Sequence, residues 1–176
     1  MSVSLFEFCQ WLNDTGPATA LRESKLMFPI VESIHTLAIT LVVGTVAILD
    51  LRLLGLVLKK VPVSRVAAQI LPLTWKGFAL MAITGLLLFY SEAAKCYHNP
   101  AFRLKLILLA LVGLNPLIFH FTIYKSVNQW DEAPQTPGRA RLAATLSLGL
   151  WSAIVVAGRA IAYFNLYVHT LSVSVV

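Results

Sequence analysis

FPIVESIHTLAITLVVGTVAILDLRLLGLVL, residues 28–58, decides how the chain is read. It is long and apolar enough to cross a bilayer as a helix, which takes about 20 residues, yet it carries Glu32, His35 and Asp50. Glu32 and His35 are three residues apart and share a helix face. Asp50 lies 18 residues beyond Glu32, which at about 3.6 residues per turn is five turns and returns it to that face. A charge facing lipid at the centre of a span costs about 2.5 kcal/mol or more. The stripe is therefore expected to face other helices, and the stretch predicts an internal polar site.

Uncharged runs at 33–49, 77–91, 106–124 and 142–158 mark four such segments. With their flanks they predict spans at 29–51, 70–92, 104–125 and 141–165. The domain organisation expected is an N-terminal interfacial segment 1–27, a four-helix transmembrane domain 28–168 and a tail 169–176. Composition agrees, being 58% hydrophobic and 12% charged with mean hydropathy +0.78, where a soluble domain is about 25% charged. The formal charge of +6 does not indicate nucleic acid, because the basic residues sit at the ends of apolar runs and not on a patch interleaved with aromatics. The partner is a lipid bilayer. Two cysteines, Cys9 and Cys96, are too few for a disulfide framework. The amino terminus has no basic start and carries Glu7 early, so it is not expected to be a cleaved signal. The fold class expected is all-α, an antiparallel four-helix membrane bundle with a short N-terminal interfacial helix.

Local signals place the connections. Ser4 and Glu7 have the spacing of a capping box and open a helix with Trp11 at headgroup level. Pro62 separates spans one and two. Asn99-Pro100 is a helix start, with proline at the first helical position of span three. Asp131 to Gly138 is the longest polar connection. Arg52, Lys59, Lys60, Arg65, Lys125, Arg139 and Arg141 gather on one side. The positive-inside rule then puts both termini outside the cytoplasm.

Antiparallel helices joined by tight turns place residues equidistant from a turn at equal depth. Counting from Pro62 and from His98-Asn99 groups Asp50, Lys76 and His120 into an inner cluster, with Asp50 neutralising Lys76. It groups Glu32, His35, Ser91 and Arg159 into an outer one, with Glu32 pairing Arg159. Cys96, His98 and His169 lie at its mouth, and Asn115, before Pro116, lies mid-membrane.

These residue types admit several functions. Glu32-x-x-His35 has the spacing of metal ligands in di-iron bundles, and His35, Cys96, His98 and His169 form a candidate transition-metal set. Haem b held by histidines on facing helices is a second cofactor reading. The leading expectation is a redox or metal-handling membrane component. The alternatives are a non-catalytic subunit of a homo-oligomer or larger membrane complex, and proton or ion translocation. No nucleophile triad, P-loop or dinucleotide fingerprint is present, so no residue is assigned a catalytic role.

FPIVESIH, DLRLLG (Asp50 to Gly55), NPAFRLKLILL (Asn99 to Leu109), GLNPLIFH (Gly113 to His120) and AGRAIAYF (Ala157 to Phe164) together resemble a family of small bacterial four-span membrane proteins of unknown function. The resemblance covers most of residues 21–165. It implies the four-span fold and highlights Glu32, His35, Asp50, Asn115, His120 and Arg159 without assigning them roles. Four-span b-type cytochromes and copper-resistance membrane proteins are similar in architecture.

Overall fold

The computed structural model describes residues 4–122, 124, 127–131 and 136–174, apart from the side chains of Asn128, Ala162 and residues 164–174. In chain order the helices are α1 (Leu5–Asn13), α2 (Gly16–Glu23), α3 (Met27–Leu53), α4 (Val63–Ser91), α5 (Ala93–His98), α6 (Pro100–Thr122), α7 (Val127–Trp130) and α8 (Gly138–Ser174). The described residues contain no strand. α3, α4, α6 and the first 24 residues of α8, Gly138–Ile161, are each long and apolar enough to cross a membrane. The protein is an all-α bundle with four candidate membrane spans.

The helix ends follow from the sequence. Ser4 and Glu7 form the capping box in full, each side chain bonding the other's backbone N–H. Asn99 is buried, and its side-chain oxygen accepts from the N–H groups of Ala101 and Phe102 at 3.0 and 3.2 Å, so α6 starts where Pro100 predicts. α3 stops at Gly55, whose φ of +73° is the left-handed conformation that glycine adopts without penalty. The Leu56 N–H then reaches the Leu51 carbonyl at 3.0 Å and the Gly55 N–H reaches that of Arg52 at 3.0 Å, the paired bonds of a Schellman stop.

α3 packs chiefly on α4, and α6 on α8. α3 also meets α8 and so joins the two pairs, whereas the consecutive spans α4 and α6 do not pack extensively. The α3–α4 contact is close because Gly77 faces Val42. A Cβ built at Gly77 would lie 3.1 Å from the Val42 side chain and 3.2 Å from that of Leu41. Small residues permit this approach where no hydrophobic drive exists between helices in lipid. One apolar cluster, Ala38, Val42, Met81, Val112, Trp151 and Ile154, fills the middle of the bundle. A second, including Leu53, Val63, Val127, Trp130, Ala140 and Ala144, closes the end away from the N-terminus.

Two features differ from the sequence reading. The segment before the first span holds two helices, with α1 lying against α5 and α2 against α4 and α3. The connection at His98-Asn99 is no tight turn between spans, because α5 is inserted between α4 and α6. Equal depth across it does not hold, and the clusters counted from it shift accordingly.

Gly77→Ala is expected to lower stability to unfolding in detergent by about 1–3 kcal/mol, since Val42 and Leu41 must move. Gly149→Ala, which meets nothing within 4 Å, is expected to be neutral or mildly stabilising. Equal effects of the two on the unfolding midpoint would contradict the close α3–α4 contact.

Candidate polar sites in the membrane interior

His35 projects from α3 onto α4, where its Nδ1 lies 2.9 Å from Thr84 Oγ1. The Thr84 hydroxyl donates to the Leu80 carbonyl at 2.7 Å, so its one proton is committed and His35 Nδ1 is the donor between them. The ring fits because residue 85 is glycine: a Cβ there would stand 2.9 Å from His35 Cε1. Lys105, half-buried on α6, lies on the same side of the bundle, with Nζ 3.8 Å from where a Gly158 Cβ would be. Its charge acts on both His35 and Cys96. The polar site at the N-terminal end is therefore His35, Thr84 and Lys105, with Cys96 behind them. Lys105 stands near the start of α6, seven residues from Val112, the one buried side chain of α6 among the described residues, and so shares its face.

The expected outer cluster does not assemble in this form. Glu32 and Arg159 are both exposed, and the one ion pair among the described residues is Lys95–Glu92 at 2.9 Å. The reason is angular. Three residues fall about 60° short of a full turn, so with His35 turned onto Thr84, Glu32 rotates to the flank. On α8 the inward residues are Trp151, Ile154 and Ala157, and Arg159, two steps on from Ala157, points away. Ser91 is fully buried but serves the N-terminal helices: its carbonyl accepts from Arg22 Nη1 at 2.8 Å, and the same nitrogen bonds Asn13 O and Oδ1, each at 3.1 Å. A Thr15–Tyr90 hydroxyl contact completes that strap.

Nor does the inner cluster assemble. Asp50 is buried and bonds Ser147 of α8, which leaves its Oδ2 buried with no hydrogen-bond partner. Lys76 is exposed and does not reach it. Thr74, which donates to Thr45 at 3.0 Å, and Gly77 are the α4 residues that face α3, and Lys76 sits between them on the outward side. His120 is exposed and stacks on Tyr124 with ring centroids 5.7 Å apart. It stands at the opposite end of the bundle from His35, so the two cannot ligate one haem.

The metal donors are equally dispersed. Among the described residues no three His, Cys, Asp or Glu side chains come together. His98 is exposed and set edge-on against Phe6, with centroids 4.9 Å apart. The side chain of His169 lies outside the described residues. Burial, reinforced by the Glu92 charge and only partly opposed by Lys95 and Lys105, pushes the Cys96 thiol up to about 11. It therefore stays protonated at neutral pH, whereas the thiolate is the metal-binding form. Asn115, half-buried, donates from Nδ2 to the Ala143 carbonyl at 3.1 Å and ties α6 to α8. Asn99 does the same toward Ile161 at 3.2 Å. Neither tie follows from spacing alone, because each asparagine reaches a backbone carbonyl that has no sequence signature.

With these contacts in view, comparison with known proteins adds one match. A family model described as a family of unknown function, DUF6644, covers residues 25–164. The chain belongs to that family. The matched region takes in α3 to α7 and α8 as far as Phe164, and with them the ties among the four long helices, while Asn13, Thr15 and Arg22 of the N-terminal strap precede it. No curated protein and no solved structure matches the chain.

Thr84→Val is expected to cost about 0.5–2 kcal/mol, the range of interhelical hydrogen bonds in membranes, and Gly85→Ala more, because the His35 ring must vacate its place. The pair should be non-additive in a double-mutant cycle, since both act through His35. Additive losses in unfolding measurements would separate His35 from this contact.

Proposed function

We propose that the chain is a non-catalytic subunit of a larger membrane complex in the bacterial inner membrane, with its N-terminus outside. One observation carries this reading. Lys76 is an exposed cation in the middle of a span: 13 residues from Val63 and 15 from Ser91, and about 16 Å along the axis from Arg65 at 1.5 Å per residue. Facing lipid at that depth costs about 2.5–3.5 kcal/mol, and Thr74 and Gly77 hold the helix so that it cannot turn inward. A neighbouring membrane helix carrying a carboxylate or other acceptor removes the cost. Among the described residues no three metal-donor side chains come together, the haem candidates His35 and His120 stand at opposite ends, and the buried polar groups that do meet are used as ties between helices. Leu5, Phe8 and Trp11, exposed on α1, support an interfacial position for that helix at the membrane surface.

In a mild-detergent extract the wild-type chain is expected to migrate on a native gel as an assembly larger than its own 19.3 kDa. Lys76→Leu should shift it to the size of the free chain while leaving the unfolding midpoint of the purified protein unchanged or raised. The purified protein is expected to be colourless and free of stoichiometric copper, zinc or iron. An unassembled wild type, or a Lys76→Leu chain that assembles fully, sinks the proposal, and a Soret band or bound metal returns the redox reading.

Orientation is tested separately. In a Cys9→Ser, Cys96→Ser background, Lys60→Cys is expected to resist a membrane-impermeant maleimide on intact cells, and Lys95→Cys to react. The reverse pattern would invert the topology.

A further inference from the structure

The end of the bundle away from the N-terminus contains two adjoining cavities of about 240 Å³ each that share Arg52 and Lys59. The first is also lined by Arg141 and Thr136, by the Gly55 backbone turn and by Leu53 and Leu54, with no acidic side chain among the described residues of its wall. The second adds Lys60 and Asp131. Arg52 is 5% exposed although it sits at the last turn of a span. Its Nε donates to the Val61 carbonyl at 2.7 Å, which fixes the plane of the guanidinium and leaves the two terminal nitrogens as the donors suited to a bidentate oxyanion.

The carboxylate that lines the second cavity is already engaged. Both Asp131 oxygens are taken by Ser64, one by its N–H at 2.8 Å and one by its hydroxyl. Burial opposes ionisation of Asp131, but those bonds and the Arg52 charge outweigh it and hold the carboxyl below its ordinary value. No ion pair joins Arg52, Lys59 or Arg141 to an acid among the described residues. Arg141 and Thr136 flank the start of α8, whose N-terminal dipole adds positive potential on the same side.

We propose that this basic cavity binds the phosphate of an anionic ligand, with the Arg52 guanidinium gripping two oxygens and Lys59 and Arg141 closing over the third side. The shared chemistry is a phosphate oxyanion. Its two sources are the headgroup of an anionic glycerophospholipid, whose acyl chains would run past Leu53 and Leu54 into the bilayer, and free phosphate from the aqueous side. This placement is independent of whether Lys76 meets a partner helix.

The test uses the full chain, purified in detergent and stripped of lipid, titrated with phosphatidylglycerol, phosphatidylcholine and inorganic phosphate while adducts are followed by native mass spectrometry. The double variant Lys59→Gln, Arg141→Gln is used because both side chains are exposed and Arg52 replacement risks the fold. Its circular dichroism melt confirms that it is folded. Phosphatidylglycerol binding that is about 30-fold weaker in the variant, the loss expected for two basic residues near a membrane surface, with phosphatidylcholine not bound, assigns the headgroup. Saturable phosphate binding lost in the variant, without lipid selectivity, assigns the free anion. Equal binding by variant and wild type, equal binding of neutral and anionic lipid, or binding of neither probe overturns the proposal.

Discussion

The contact between α3 and α4 is what the rest of the bundle is built on. Val42 lies where a Gly77 side chain would begin, and on either side a hydroxyl-bearing residue crosses the gap: His35 to Thr84 at 2.9 Å, and Thr74 to Thr45 at 3.0 Å. Between helices in lipid there is no water to expel, so attraction comes from close backbone approach and from polar pairs that have nowhere else to bond. One contact supplies both. It fixes the rotation of α3 and α4, and that rotation decides which ionisable residues turn in and which turn out.

The rotation has consequences at each end. Turning His35 inward carries Glu32 to the flank, and turning Gly77 inward carries Lys76 to the outer face. Asp50 then meets α8 through Ser147, and α8 in turn holds α6 through the Asn99 and Asn115 amides. Between the His35 site and Asp50 the interior holds the apolar side chains of Ala38, Val42, Met81, Val112, Trp151 and Ile154 together with the Thr45–Thr74 hydroxyl pair. The hydroxyls there are engaged in bonds within and between helices, an arrangement that supports helix ties better than a continuous path for protons or ions. Among the described residues, Asp50 Oδ2 is the one buried side-chain oxygen or nitrogen without a hydrogen-bond partner.

Much of the fold was legible in the sequence. Hydropathy located four spans, and Ser4 and Asn99-Pro100 marked helix ends through local chemistry that depends on few neighbours, whereas the glycine stop at Gly55 was not read from the sequence. The candidate site was legible only in part, for a physical reason. Depth counting assumes that each connection is a tight turn, and α5 breaks that assumption between α4 and α6. Facing is harder still, since one residue of drift is about 100° of rotation, enough to exchange Lys76 for Gly77. His35 was found because an imidazole in an apolar run is conspicuous. Lys105 was passed over because it stands near the start of its span, where a lysine is ordinarily a boundary marker.

The two lysines show why depth and facing must be read together. Lys105 turns inward, yet it is only five residues beyond Pro100, about 8 Å along the axis. A flexible stem can carry its ammonium to the interface at that end, so burial there costs little. Lys76 turns outward, which on a soluble protein would be the unremarkable choice, but it does so about 16 Å from Arg65, the nearest charge toward its own end of α4. Lys76 is one residue from the midpoint of a helix about 43 Å long, so it falls inside a hydrocarbon slab about 30 Å thick wherever along α4 the slab lies. In water the buried lysine would be the one to explain. In a bilayer the exposed one is, and a surface that is costly against lipid is inexpensive against a helix that presents an acceptor. That inversion is why the proposed role rests on the outer face of α4 and not on the bundle's interior.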